Sequence, residues 1–230
     1  LKLHLKHGSG LNEEIDRYMC IDRELDAYIE CVSPYVCKLL GYGGKKPSRM
    51  FLIMEYMENG SLEELLLDPA RAGEVALLDK FRIMHNIAHG LTDIHDKNFI
   101  HADLTPKNIL LSSELQAKIC DLGSAKNMNH RVVANKQIGG LYYLPHEFYM
   151  GRYTNKIDVY SFGLVMYHLF SGSRHVYNSS GMLVFDQFNR IPLGLIKVLV
   201  WRSTQFNPMQ RETIHYYRDI FRAYVDAVRE

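Results

Sequence analysis

Apolar residues fall into different rhythms along the chain. Leu77, Leu78, Phe81, Met84, Ile87, Ala88, Leu91 and Ile94 recur largely at steps of three and four. That spacing puts them on one helical face and predicts a long helix. Ile157 to Phe170 is apolar nearly all round, which predicts a helix buried on every side. Ile214, Tyr217, Ile220, Tyr224 and Val228 mark an amphipathic terminal helix. The first quarter is patterned otherwise. Leu1 to Lys6 alternates apolar and basic residues, as a half-exposed strand does, and Gly8-Ser9-Gly10 ends it. Asn12 to Val32 reads as a helix with acidic residues in its first turn, stopped by Pro34. Val36–Gly41 and Met50–Met57 read as strands, parted by a turn over Gly43-Gly44-Lys45-Lys46-Pro47. Asn59-Gly60-Ser61 follows, and Ser61 can cap a short helix with Glu64 reaching back. Ser171 to Arg190 is polar and rich in Gly and Ser, so it is expected to be mostly loop. There is no internal repeat. The change of rhythm predicts an α+β chain with a small β-rich part at 1–57 and a larger helical part at 58–230.

Composition narrows the classes. Hydrophobic residues make up 47% of 230, ample for a packed core. Lys and Arg number 27 against 26 Asp and Glu, a net charge of +1, so nothing asks for nucleic acid or a charged membrane as partner. The cysteines at 20, 31, 37 and 120 form no C-x-x-C pair, which fits a reduced, cytoplasmic setting or the intracellular domain of a larger protein. No apolar run approaches the ~20 residues that span a bilayer. The chain opens on Leu inside an alternating stretch, with no signal peptide, and is expected to be a piece of a longer domain.

The chemistry concentrates between Ile100 and Gly123, IHADLTPKNILLSSELQAKICDLG. Asp103 and Asp121 stand either side of Asn108, with short apolar strands at 109–111 and 117–120. A hairpin of this kind can hold one carboxylate for a substrate hydroxyl and a carboxylate with an amide for a hard cation, which prefers oxygen ligands. That is the apparatus of phosphoryl transfer from a nucleotide.

These residues resemble the eukaryotic protein kinase family. His101-Ala102-Asp103-Leu104-Thr105-Pro106-Lys107-Asn108 is similar to its catalytic loop, and Asp121-Leu122-Gly123 to its metal-binding D-F-G. Pro145-His146-Glu147 resembles A-P-E, Asp158 to Gly163 the buried helix that follows, and Arg211 the late arginine that pairs with Glu147. Phe51 to Met57 resembles the strand and hinge between two lobes. The resemblance implies a two-lobe kinase fold with a partial β-rich N-lobe and a mainly helical C-lobe. It implies ATP and Mg²⁺ as cofactors and a protein as substrate. Asp103 would be the catalytic base, and Asn108 and Asp121 the metal ligands. Lys107, four residues after Asp103 where tyrosine kinases carry Arg, is either a cation near the transferred phosphoryl or an ordinary exposed lysine. Glu24 would pair with a strand lysine that grips the phosphates, Lys2 or alternatively Lys6. Met54 would be the gatekeeper, the backbone at Glu55 and Met57 would face the base edge, and Leu110 would lie under the adenine. Tyr28, Leu39, His101 and Leu122 match an apolar column between the lobes, anchored by Asp158. Cys120 reads as a small core residue.

Several positions depart from the pattern. The glycine-rich loop over the phosphates would lie ahead of Leu1. Ala102 replaces the arginine that clamps a phosphorylated loop, so switching by loop phosphorylation is not expected. Thr105 stands where Ser/Thr kinases keep Lys, Gly140 where they keep Thr, and His146 replaces the Pro of A-P-E. Two functions compete. One is an active protein kinase of the tyrosine-kinase or tyrosine-kinase-like group; the other is a pseudokinase retained as a nucleotide-binding or scaffolding module. A small-molecule kinase ranks below both.

Overall fold

The computed structural model describes residues 2–3, 11–44, 51–129, 141–151 and 154–228. A three-stranded antiparallel sheet opens the chain, in the order β1-β3-β2, from β1 (Lys2–Leu3), β2 (Leu39–Gly43) and β3 (Phe51–Met54). Helix α1 (Leu11–Glu30) lies between β1 and β2 in sequence. Its buried face runs Ile21, Glu24, Leu25 and Tyr28, at helical spacing, and Cys31 just past its end continues it. A carboxylate in that apolar series marks the side turned to the site.

Two strand predictions shift. The strand expected at 36–41 begins at Leu39 and runs to Gly43, with a bulge between Leu39 and Gly41. Val36 instead bridges Ile119, because Cys37 N–H donates to Ile119 C=O and Ile119 N–H donates to Tyr35 C=O, each at 2.8 Å. The strand expected to reach Met57 ends at Met54. Met50 and the expected turn residues Lys45 to Pro47 lie outside the described residues, and Gly43 belongs to β2.

Ser61 caps α2 (Leu62–Leu67), its hydroxyl accepting from Glu64 N–H while the Glu64 carboxylate accepts from Ser61 N–H at 2.7 Å. The short α3 (Pro69–Glu74) follows, capped by Asp68. The long helix predicted from periodicity is α4 (Leu77–Asp96), with Phe81, Met84, Ile87, Ala88, Leu91 and Ile94 fully buried; Leu77 is exposed at its start. Four short strands then form two ladders, β4 (Phe99–Ile100) with β7 (Lys126–Asn127), and β5 (Ile109–Leu111) with β6 (Ala117–Ile119). After α5 (His146–Tyr149), α6 (Lys156–Ser171) is buried from Ile157 through Ser171, as its all-round apolar character requires.

The stretch 171–190 is not wholly loop. It holds a hairpin of β8 (Val176–Tyr177) and β9 (Leu183–Val184), whose turn is closed by Asn178 Oδ1 accepting from Ser180 and Met182 N–H. Helix α7 (Gly194–Ser203) packs on α6, and α8 (Ile214–Ala227) packs on α4, where the Tyr224 ring stacks on Phe81 at 3.6 Å. Val228 falls beyond α8 and is exposed; Phe221 and Val225 complete its buried face. One apolar core runs from α1 through α4, α6 and α8. No helix among the described residues is long and apolar enough to cross a membrane.

Candidate active site

Asp158 organises the loop after α4. Fully buried at the start of α6, its carboxylate accepts from His101 N–H at 2.8 Å, Ala102 N–H at 2.9 Å and His95 Nε2 at 2.8 Å. A carboxylate can only accept, so His95 Nε2 carries the hydrogen. These bonds hold Ala102 at φ +61°, a left-handed conformation that a residue with a Cβ adopts at a cost. His101 Nε2 lies 3.0 Å from Cys120 C=O, and its Nδ1 accepts from Asp103 N–H at 3.2 Å. The loop is thereby tied to the strand that leads into Asp121.

Asp103 and Asn108 meet directly. The Asn108 amide nitrogen donates to Asp103 C=O at 2.8 Å and to Asp103 Oδ2 at 3.1 Å, which leaves the amide oxygen as the end that can meet a cation. Asp103 Oδ1 is buried and accepts no hydrogen bond from the described residues. Burial raises the Asp103 carboxyl above its ordinary range; His101 pulls against this, Asp121 adds to it, and Asn108 and Lys107 oppose it. Lys107 is exposed beside the loop.

Asp121 joins them because β5 and β6 pair Ile109 with Ile119, and Cys120 N–H donates to Asn108 C=O at 2.9 Å. Asp121 has φ +61° and ψ +69°, its N–H donates to Tyr28 Oη at 2.8 Å, and its Oδ1 accepts from Gly123 N–H at 3.3 Å. Glu24, 1% exposed, comes up beside this turn: a Cβ on Gly123 would lie 3.3 Å from Glu24 Oε2, so the absence of a side chain lets α1 approach. Among the described residues no cluster of three or more His, Cys, Asp or Glu side chains has the geometry to hold a metal by itself. Asn108 and Asp121 form a sparse all-oxygen set of the kind Mg²⁺ uses when substrate phosphates and water complete its shell.

The residues assigned to the base and phosphates are distributed as follows. Lys2 lies in β1 opposite Leu52, its side chain outside the described residues, as is the whole of Lys6. Met54 ends β3 and packs on the core. Glu55 N–H donates to Lys38 C=O at 3.0 Å, so its carbonyl is what it can offer a base edge. The Glu55 carboxylate takes Lys118 Nζ at 2.7 and 2.9 Å. Met57 is buried, and its carbonyl accepts from Gly60 N–H at 3.1 Å. Leu110 is half-buried opposite Lys118 in the β5–β6 ladder. Cys120 is half-exposed and not a core residue, because it lies where β6 leaves the core toward Asp121.

A second group braces the turn before α5. Arg211 is 2% exposed and pairs with Glu147 through both terminal nitrogens; it also donates to the carbonyls of Gln205, Phe206 and Lys156. Tyr142 C=O accepts from His175 Nε2 at 2.6 Å and Tyr177 Oη at 3.2 Å, both from the β8 region. Ala102 packs with Ile100, Leu144, Phe148 and Ile157 in a small apolar cluster of its own. Sequence reasoning missed the hydroxyl of Tyr28 and the roles of His175 and Tyr177. The signal for Tyr28 was a phenol on a helical face that also carries Glu24, at a position matching the column between the lobes; for the other two there was none.

Comparisons with known proteins place the chain among kinase domains. The chain is 34% identical over 145 residues to cysteine-rich receptor-like protein kinase 7 of Arabidopsis thaliana, covering 60% of this chain and 22% of that protein. It is 36% identical over 148 residues to calmodulin-binding receptor-like cytoplasmic kinase 3 of the same plant, covering 60% and 28%. A mitogen-activated protein kinase kinase of Aspergillus fumigatus is 34% identical over 152 residues, covering 64% and 30%. The match thus spans less than a third of these relatives' lengths. The protein kinase domain profile aligns with residues 6–218, nearly the whole sequence, and the chain belongs to the protein kinase domain family.

Proposed function

We propose that this chain is a kinase catalytic domain that moves the γ-phosphoryl group of ATP to a Ser, Thr or Tyr hydroxyl of a protein. The observation that carries this is Asp103: one carboxylate oxygen is held by Asn108, and the other is buried with no hydrogen-bond partner among the described residues. A desolvated acceptor with a raised pKa suits a base that takes a hydroxyl proton. In the step, the substrate oxygen forms a bond to the γ-phosphorus, the bond from that phosphorus to the β,γ-bridging oxygen breaks, and ADP leaves. The hydroxyl proton passes to Asp103 Oδ1. Asp121 and the Asn108 amide oxygen would hold Mg²⁺, which supplies neutralising charge for the phosphates when bound. Glu24 would orient a β1 lysine toward the α- and β-phosphates, with Lys2 the nearest in register. Met54, the Glu55 carbonyl, Met57 and Leu110 would frame the adenine. Lys107, exposed four residues after Asp103, favours a tyrosine-kinase-like loop and would meet the transferred group. Such a reaction belongs inside the cell, where ATP and Mg²⁺ are abundant.

A scaffolding reading draws on Ala102, whose neighbours are apolar where a regulated kinase has a charge. The retained Asp103, Asn108 and Asp121 favour the enzyme. Phosphate incorporation into a mixed protein substrate tests it. Asp103→Asn is expected to lower turnover by roughly 10²–10⁴-fold while ATP·Mg²⁺ still raises the melting temperature. Unchanged incorporation would remove Asp103 from the base role. Equal stabilisation by ATP with and without Mg²⁺ would remove Asp121.

A further inference from the structure

We propose that the Tyr28 hydroxyl is a positioning group for the metal-binding aspartate, fixing the backbone of Asp121 through the hydrogen bond it accepts from Asp121 N–H. This rests on the reading of Asp121 as a metal ligand. Tyr28 is 5% exposed on α1, one turn after Glu24, and its Oη lies 2.8 Å from Asp121 N across ninety-three residues of sequence. A purely apolar contact between α1 and the Asp121 turn needs only a ring at that place. The hydroxyl does something the ring does not.

Asp121 sits at φ +61°, and an L-residue holds that conformation only when its surroundings fix it. Two hydrogen bonds among the described residues contribute here. One is within the turn, from Gly123 N–H to Asp121 Oδ1 at the long distance of 3.3 Å. The other is the shorter bond to Tyr28. A peptide that relaxed toward negative φ would carry Cβ, and with it the carboxylate, away from Asn108. Phosphoryl transfer depends on positioning, so an error of an ångström there matters. Tyr28 is thereby a direct link from α1 to the left-handed turn: a movement of α1 reaches Asp121 through one bond.

The test is Tyr28→Phe, which keeps the ring and removes only the oxygen. Two readouts are needed. The first is backbone amide exchange of residues 119–123 in nucleotide-free protein, expected to quicken about tenfold at Asp121 while α4 is unchanged. The second is the Mg²⁺ concentration at which ATP stabilisation is half-maximal by thermal melting, expected to rise about tenfold. Saturating Mg²⁺ is expected to restore most of the wild-type turnover. If the variant simply melts lower, with the Mg²⁺ midpoint and Asp121 exchange within twofold of wild type, the hydroxyl is structural and the proposal falls. If wild type itself shows no Mg²⁺-dependent stabilisation, the metal reading falls first; the exchange arm then still reports whether Tyr28 fixes the turn.

Discussion

Asp158→Asn separates the charge of the buried carboxylate from its shape. Asp158 Oδ2 accepts from His101 N–H and His95 Nε2, and Oδ1 accepts from Ala102 N–H. Asparagine keeps one oxygen. If that oxygen serves His101 and His95, its NH₂ faces Ala102 N–H, donor against donor. Two hydrogen bonds lose their charge assistance, costing about 0.5–1 kcal/mol each, and the stranded Ala102 N–H costs about 1–3 kcal/mol. Relief of the desolvation of a buried charge and of the left-handed strain at Ala102 offsets part of this. The net expectation is a loss of about 2–3 kcal/mol. For a chain of this size that lowers the melting temperature by roughly 4–12 °C. Differential scanning fluorimetry at pH 7, with a urea titration as the second measure, reads the change. Because Ala102 precedes Asp103, turnover should also fall at temperatures where the variant is fully folded. A variant that melts within 2 °C of wild type, with unchanged turnover, would refute the idea that Asp158 holds the loop.

Arg211→Met leaves the Glu147 carboxylate buried without its partner and is expected to cost about 3–5 kcal/mol by urea unfolding; a loss under about 1 kcal/mol would contradict the buried pairing. Burial holds His168 and His175 down to about 4, while an unfolded histidine titrates near 6.5. Between those values the unfolded chain binds protons that the native protein refuses, so stability should fall with pH by roughly 2 kcal/mol per unit from about pH 6 to 5. His168→Gln should roughly halve that slope, and an unchanged slope would show that His168 is not the group responsible. Gly163→Ala would set a Cβ 2.9 Å from both Ser203 Cβ and Thr204 Cγ2 between α6 and α7, so it should destabilise by about 1–3 kcal/mol by the same unfolding measurement, with a neutral result meaning that α7 yields freely.

Helices α4 and α8 were legible because their burial is periodic, and α6 because it is apolar all round. α4, α6 and α8 repeat the apolar spacing of the sequence closely, and the capping of α2 follows from Ser61 and Glu64 alone. The motif order around Asp103, Asn108 and Asp121 was legible too, since a short hairpin brings them together through local pairing. What escaped depends on partners far apart in the chain. The strand after Pro34 starts late because residues 35–37 pair with Ile119. The β8–β9 hairpin lacks strong alternation and is closed by one asparagine turn, and its neighbour His175 meets Tyr142 thirty-three residues away. Tyr28 carries a tyrosine's ordinary helical signature; the ninety-three-residue reach of its hydroxyl leaves no local trace.

Ala102 and its companions have a thermodynamic consequence. Ala102 meets Leu144, Phe148 and Ile157 through hydrocarbon and aromatic groups. Ionic strength should leave that contact nearly untouched, since these apolar side chains carry no charge to screen. Chilling should loosen it, because the hydrophobic effect fades as water cools. A loop joined in this way should respond at that contact to temperature more than to salt.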